Sequence, residues 1–463
     1  MAEKPNHFLK NRPLILAIFG ITYILWAAFI GLSPLLFAPL VIFELVLRLG
    51  LRRAYGRHYR FALYNYFIID HPIYGNAFRP GIASQKIDFP VFDKFVFRSG
   101  SKTERVNFSI NSLGFRGPEF SPTKKPGTIR IFCSGGSTTA GNSVDDDETW
   151  PAVLEIELRQ RGYRVEVINA GVQGWSSYQE LLRFEREIVN YQPDILLLHQ
   201  GWNEEFAYSS QNLGREWQPR TVRNMIETRY LYSGRRGWLS STRSLLFFYL
   251  TQLYHKDFRF NRQMKFSNPE RWRCLKQKSY HLAWFDNLIS FTRLAKAREI
   301  LLYSVDYPGL CNFDDASDER ELFVNQTRLT ALYADYQAAS KKQIQKMLES
   351  VEPIIPRLNA EKELAQIRGQ RYLELFLDEV HLSAAGNVAL GKIIAGQLAN
   401  DKNFNNRRPD VVINEAQIAA IRKNVGQNYQ YLDEFIDKTI AKLGRAGQYF
   451  GELELPTERY TTF

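Results

Sequence analysis

Cysteine is scarce in this chain, with only Cys133, Cys274 and Cys311 among 463 residues. An odd number at wide, unrelated spacings excludes a disulfide framework and a clustered zinc site, so neither a metal nor a redox cofactor is expected. Internal repeats and low-complexity tracts are also lacking, which argues against a solenoid or a disordered tail. Acidic residues are thin in one stretch: Phe206 to His281 holds fifteen Lys and Arg against four Asp and Glu. That block accounts for the whole formal charge of +11 and leaves the rest of the chain neutral in sum. Such a block favours an anionic substrate, an anionic lipid or nucleic acid, or is a solvated surface. No nucleic-acid motif accompanies it, so nucleic acid is not expected as a partner.

What the chain does have is a long apolar run from Pro13 to Gly50, interrupted by Pro34, Pro39, Glu44 and Arg48. A membrane span needs about 20 apolar residues, and Ile15 to Leu32 alone would suffice. Leu35 to Leu49 reads either as a second pass closing a hairpin at Leu32-Ser33-Pro34 or as an extension at the lipid interface. A short signal-peptide core with a small-residue cleavage site is not visible, so residues 1–60 are expected to stay attached as a membrane anchor contacting the lipid bilayer. Basic residues flank both ends, and the side of the membrane on which the remainder works stays open.

Residues 61–127 are broken by Pro72, Gly75, Pro80, Gly81 and Pro90 and read as a connector. From Thr128 the pattern alternates strand and helix, the signature of an α/β parallel sheet covered on both faces. Thr128 to Cys133, Val165 to Ile168 and Asp194 to His199 are the first three strands, with helices at Pro151 to Gln160 and Tyr178 to Val189 between them. An insertion over 206–283 follows, in which Trp217, Tyr230, Tyr232, Trp238, Phe247, Phe248 and Tyr249 interleave with arginine. It reads as a small satellite core, a sugar-stacking surface or an interfacial element. The order resumes with a helix at Leu288 to Ala297 and a strand at Glu299 to Val305, and a second insertion runs over 306–370. The last sheet unit is a strand at Tyr372 to Leu377, a loop and a helix at Ala384 to Leu398, followed by a helical extension over 401–463.

The chemistry-bearing residues fall at the ends of these strands. The first strand enters Ser134-Gly135-Gly136-Ser137-Thr138-Thr139-Ala140-Gly141, where a tight turn would raise the Ser137 hydroxyl at the carboxyl edge of the sheet. A glycine turn with a capping serine looks the same in isolation. A phosphate loop would need a Lys after the last glycine, and Asn142 stands there instead. Serine needs a base and a group to orient that base. His381, in Asp378-Glu379-Val380-His381-Leu382-Ser383, offers the first, and Asp378, three residues ahead, offers the second. Donors for a developing oxyanion are available at Gly174, in Asn169-Ala170-Gly171-Val172-Gln173-Gly174-Trp175, and at Asn203, in Gly201-Trp202-Asn203-Glu204.

Four blocks in this order resemble the SGNH (GDSL-like) hydrolase family, over roughly residues 128–400. The resemblance implies a three-layer, flavodoxin-like parallel sheet (the SGNH hydrolase fold). It implies Ser137 as nucleophile, Asp378 and His381 as the other triad members, and the Ser137 amide, Gly174 and Asn203 as the oxyanion hole. Gly136 stands where the family often has Asp, and Glu204 where Asp usually follows the Asn. Asn111-Ser112-Leu113-Gly114-Phe115-Arg116 and Glu44-Leu45-Val46-Leu47-Arg48 look like a membrane-attached subset of the family; no catalytic role is assigned to them. The expected activity is that of a serine esterase or O-deacetylase acting on an acylated small molecule, lipid or glycan. An O-acyltransferase modifying an envelope glycan or lipid with the same triad, and a non-catalytic membrane-bound scaffold, are the competing expectations.

Overall fold

Runs such as Ile195-Leu196-Leu197-Leu198, with no polar alternation, suit strands covered on both faces. The computed structural model describes residues 38–55, 68–71, 73–88, 105–141, 144–204, 280–309, 331–364, 366–367, 370–377, 380–407 and 414–427, with single positions at 21, 23, 434, 437, 438 and 441. The chain divides into two compact units. Residues 1–60 with 230–262 form the first, and 61–229 with 263–463 the second.

Of the first unit, helix α1 (Ala38–Tyr55) is described. It presents Val41, Ile42, Leu45, Val46 and Leu49 to the outside. Glu44, Arg48, Arg52 and Arg53 interrupt it, and among the described residues no helix is long and apolar enough to cross a membrane. Leu35 to Leu49, read as a second pass or an interfacial extension, falls mostly in α1, which does not meet the length and apolarity of a span. Ile15 to Leu32 lies outside the described residues, Ile21 and Tyr23 excepted.

The second unit begins with two antiparallel pairs, β1 (Ile68–His71) with β2 (Gly75–Phe78) and β3 (Ile82–Asp88) with β4 (Arg105–Ile110). There follow β5 (Ile129–Gly135), the one-turn helix α2 (Ser137–Ala140), α3 (Trp150–Gln160), β6 (Val165–Asn169), α4 (Ser177–Arg186) and β7 (Ile195–His199). After the basic insertion come α5 (Tyr280–Ala297), β8 (Leu301–Val305), α6 (Ala331–Val351), β9 (Arg357–Leu358), α7 (Ala360–Leu364) and α8 (Gln370–Leu373). The chain closes with α9 (Ala384–Asn400), α10 (Lys402–Asn406) and α11 (Glu415–Gln427).

Five strands form one parallel sheet in the order β6-β5-β7-β8-β9. This is the 2-1-3-4-5 order of flavodoxin-like folds, whose topological switch lies between the first and third strands, here β5 and β7. Helix α3 packs on α9 and helix α4 on α5, where Phe184 stacks on Phe291 at 5.7 Å. Right-handed crossovers running opposite ways along the sheet put these two helix pairs on opposite faces, giving three layers. Thr149 caps α3 through Ala152 N, with Pro151 in the first turn, and Ser383 caps α9 through Gly386 N.

Two parts differ from the sequence reading. The fifth strand is Arg357–Leu358, inside the expected insertion 306–370, and not Tyr372 to Leu377, where α8 and an isolated Phe376–Leu382 bridge stand instead. A two-residue strand is too short to show a period. Residues 61–127, read as a connector, carry β1 to β4. Ile68, Tyr74, Phe78, Ile82, Phe108 and Ile110 from this stretch join Ala140, Val172 and Trp175 in one buried cluster. The basic insertion is outside the described residues except at 280–283, as are Cys274 and Cys311.

Candidate active site

The nucleophile turn follows from close packing. Gly135 ends β5 and Ser137 opens α2, with its side chain buried at 6% exposure. A Cβ on the intervening Gly136 would stand 2.4 Å from Asn203 Nδ2, so with any larger residue there the Asn203 amide would have to shift.

Across the turn, His381 Nε2 lies 2.8 Å from Ser137 Oγ, and the two residues are 244 apart in sequence. His381 is itself buried, at 8% exposure. Its loop is pinned by Leu377 N donating to His381 O (2.7 Å) and Ser383 N donating to Leu375 O (2.9 Å). The cap at Ser383 then fixes where α9 starts. Asp378 and Glu379 lie outside the described residues.

The loop after β6 reaches the same place. Ala170 N and Val172 N donate to Cys133 O and Gly135 O, extending the strand register past β5, and Trp175 N donates to Val172 O to close a turn. Gly174 takes a left-handed φ of 74° in that turn, a conformation that favours glycine. From β7, Asn203 Nδ2 donates to Trp175 O at 2.7 Å. Ser137, His381, Asn203 and the Gly174 turn are thus gathered at the carboxyl ends of β5, β6 and β7, beside the switch point.

Several supports were not legible as motifs. Glu204, next to Asn203, accepts from Ser177 N (2.5 Å) and Ser177 Oγ (2.9 Å), while Asn287 Nδ2 donates to the same hydroxyl at 2.8 Å. Adjacent residues on the β7 loop therefore grip the β6 loop at two points. Beneath them Glu180 accepts from Ser134 Oγ (3.0 Å) and Gln200 Nε2 (2.8 Å), and Trp284 Nε1 donates to Gln200. Burial pushes Glu180 up to about 8, with the Glu204 charge adding to the rise and the bonds from Gln200 and Ser134 opposing it. Burial also raises Glu204 to about 7, against its bonds from Ser177. His199, whose Nδ1 is 3.0 Å from Thr139 Oγ1, is pushed down to about 3 by burial and stays neutral. Cys133, central in β5, is raised well above an ordinary thiol by burial, which suppresses the reactive thiolate. From the former connector, Asn76 Nδ2 donates to Gln173 O and Trp175 Nε1 donates to Asn76 O, holding the Gly174 turn from outside. Among the described residues no group of three His, Cys, Asp or Glu is arranged to hold a metal ion.

An open parallel sheet with a buried serine–histidine pair at its switch point is the class that fold and site define. No family model matches the chain. A 75-residue stretch is 28% identical to an arylesterase from Vibrio mimicus, covering 16% of this chain and 38% of that protein. Among solved structures, the chain is similar to a GDSL-like lipase from Bacteroides thetaiotaomicron (16% identity, 58% of this chain and 86% of the other, TM-score 0.29). It is also similar to an acetyl xylan esterase (13% identity, 58% and 99%, TM-score 0.31) and to a lipase/acylhydrolase from Enterococcus faecalis (17% identity, 58% and 95%, TM-score 0.32). At these scores it is the strand order above that defines the fold.

Proposed function

We propose that this chain is a serine ester hydrolase of the SGNH (GDSL-like) type. The observation that carries the reading is the 2.8 Å approach of His381 Nε2 to Ser137 Oγ at the carboxyl edge of the sheet. In this reading Ser137 Oγ attacks an acyl carbonyl while His381 takes its proton. Asp378 holds the imidazole in the productive tautomer and stabilises the imidazolium. The Ser137 and Gly174 amides and the Asn203 side chain receive the oxyanion. Collapse of the tetrahedral intermediate breaks the ester C–O bond, and the alcohol leaves with the proton from His381. Water, deprotonated by the same imidazole, then releases the acid and regenerates Ser137.

The substrate class is an acylated small molecule, lipid or glycan. Attachment of residues 1–60 to a lipid bilayer belongs to the same proposal, supported by the apolar composition of Pro13 to Gly50 and by the outward stripe Val41, Ile42, Leu45, Val46 and Leu49 of α1.

The test is to treat wild type and Ser137→Ala with a serine-directed fluorophosphonate and with p-nitrophenyl acetate. Labelling and acetate release confined to the wild type are expected. Equal behaviour of the two proteins would sink the reading.

A further inference from the structure

Helix α2 is a single turn, too short to hold its own shape, since an isolated helix of that length does not form in water. Its shape must come from outside, and the bonds to its carboxyl end name the source. Asn169 Nδ2 donates to Thr139 O at 2.8 Å. The Arg116 guanidinium donates to Ala140 O (2.7 Å), to Gly141 O and to Val144 O (2.6 Å). Gly141 in turn donates its N–H to Ser137 O at 2.8 Å, so one residue separates the guanidinium from the nucleophile's own main chain.

Arg116 is itself fixed. It is 3% exposed and lies over the Phe108 ring, its Nε donates to Asp146 Oδ1 at 3.1 Å, and its main-chain N–H donates to Asn169 O. Asp146 also accepts from Ser109 N and Ser109 Oγ on β4, and the neighbouring Asp145 accepts from Asn107 N and Asn107 Nδ2. The stretch 61–127 therefore reaches the carbonyls of the nucleophile turn through the Arg116 side chain.

We infer that Arg116 is a positioning residue for Ser137, holding the Ala140–Val144 turn so that the Ser137 hydroxyl and amide keep the geometry acyl transfer requires. The inference rests on the reading of Ser137 as nucleophile. A planar guanidinium is suited to the task because its fixed fork meets three carbonyls and a carboxylate at once, which an ammonium on a flexible stem does not.

Arg130 supplies the control. It too is buried and bonded to three carbonyls and a carboxylate, but it lies at the opposite end of β5. The experiment uses the purified 463-residue chain with Arg116→Ala, Arg116→Lys, Asp146→Asn and Arg130→Ala. The readouts are p-nitrophenyl acetate kinetics per folded molecule, fluorophosphonate labelling rate and amide hydrogen exchange.

Arg116→Ala is expected to lose about 100-fold in kcat with KM little changed, the scale of a small misplacement of a reacting group. Guanidinium ion at millimolar concentration should restore part of that loss, and Arg116→Lys and Asp146→Asn should fall between. Exchange should quicken at the Ala140, Gly141 and Val144 amides and not across the sheet. Arg130→Ala should keep the wild-type kcat per folded molecule and ignore guanidinium. Wild-type kcat in folded Arg116→Ala, or exchange that rises across the whole domain as in Arg130→Ala, would overturn the inference. Should wild type itself fail to label while the local exchange change appears, the nucleophile reading falls and the hold on the turn stands.

Discussion

Arg130 and Arg116 are built alike and placed at opposite ends of the sheet. Arg130 lies against the Phe120 ring, donates to Ser121 O, Pro122 O and Tyr191 O, and pairs with Glu166 at 2.7 Å. Arg116 lies against the Phe108 ring, donates to three carbonyls after α2, and pairs with Asp146 at 3.1 Å. At the amino end the arginine joins segments remote from Ser137, so its removal is expected to cost stability and not turnover. At the carboxyl end the same device grips the turn that carries Ser137. A buried arginine is thus neither a structural nor a functional residue by type; the backbone it holds decides.

The comparison breaks most visibly at the carboxyl end. Ser137→Ala should lower ester turnover by roughly 10⁴-fold or more, with a melting temperature close to wild type because the hydroxyl is small and α2 keeps its main-chain bonds. Steady-state kinetics with p-nitrophenyl acetate alongside calorimetry checks both halves. At the amino end the pattern should invert. Arg130→Ala leaves three carbonyls and the part-exposed Glu166 without their partner, and denaturant unfolding should show a loss of about 1–3 kcal/mol, the usual scale for unmet hydrogen-bonding groups.

Returning to the carboxyl edge, Asn203→Ala removes the amide that bonds Trp175 O and borders Gly136. A fall in kcat of about 10²–10³, with KM nearly unchanged, is expected of a lost oxyanion donor. A change confined to KM would assign Asn203 to substrate binding instead.

The smallest effect concerns pH. Glu180 and Glu204 are raised above the ordinary 4.5 to about 8 and about 7. The folded state then holds protons that the unfolded chain has released, so their contribution is complete below pH 4.5 and is lost as pH rises through 7 to 8. His199 is lowered from 6.5 to about 3, so the unfolded chain binds the extra proton and stability falls as pH drops below 6.5 toward 3. The melting temperature should therefore decline on both sides of a mildly acidic optimum. Glu180→Gln should flatten the alkaline limb and His199→Asn the acid limb, as read by a thermal-shift series across pH.

What could be read in advance shows in particular elements. Ile195-Leu196-Leu197-Leu198 was legible as a buried strand because a short unbroken apolar run suits a strand covered on both faces, and Thr128 to Cys133 because it is a β-rich run ending at glycines. Ser137 and Asn203 were legible because each follows a strand's apolar run within a few residues, and His381 because Asp378 stands three residues ahead of it. The fifth strand was not, since Arg357–Leu358 has no period to detect. Nor were Glu180 and Glu204 as buried carboxylates, because the partners that make their burial tolerable, Ser134, Gln200 and Ser177, come from other elements.

The stretch 61–127 sets the boundary most clearly. Its prolines and glycines mark chain breaks, which are local and visible. That Phe108, Ile110 and Trp175 share a core, and that Arg116 reaches carbonyls 24 to 28 residues away, depends on how the segments dock. The sequence by itself determined the alternation of strand and helix and which residues stand at strand ends, because both follow from short-range pattern. Only the tertiary structure decided that Ser137 and His381 meet at 2.8 Å across 244 residues, and that a former connector holds the nucleophile's turn. Contacts of that range arise from packing many side chains at once, which no local spacing encodes.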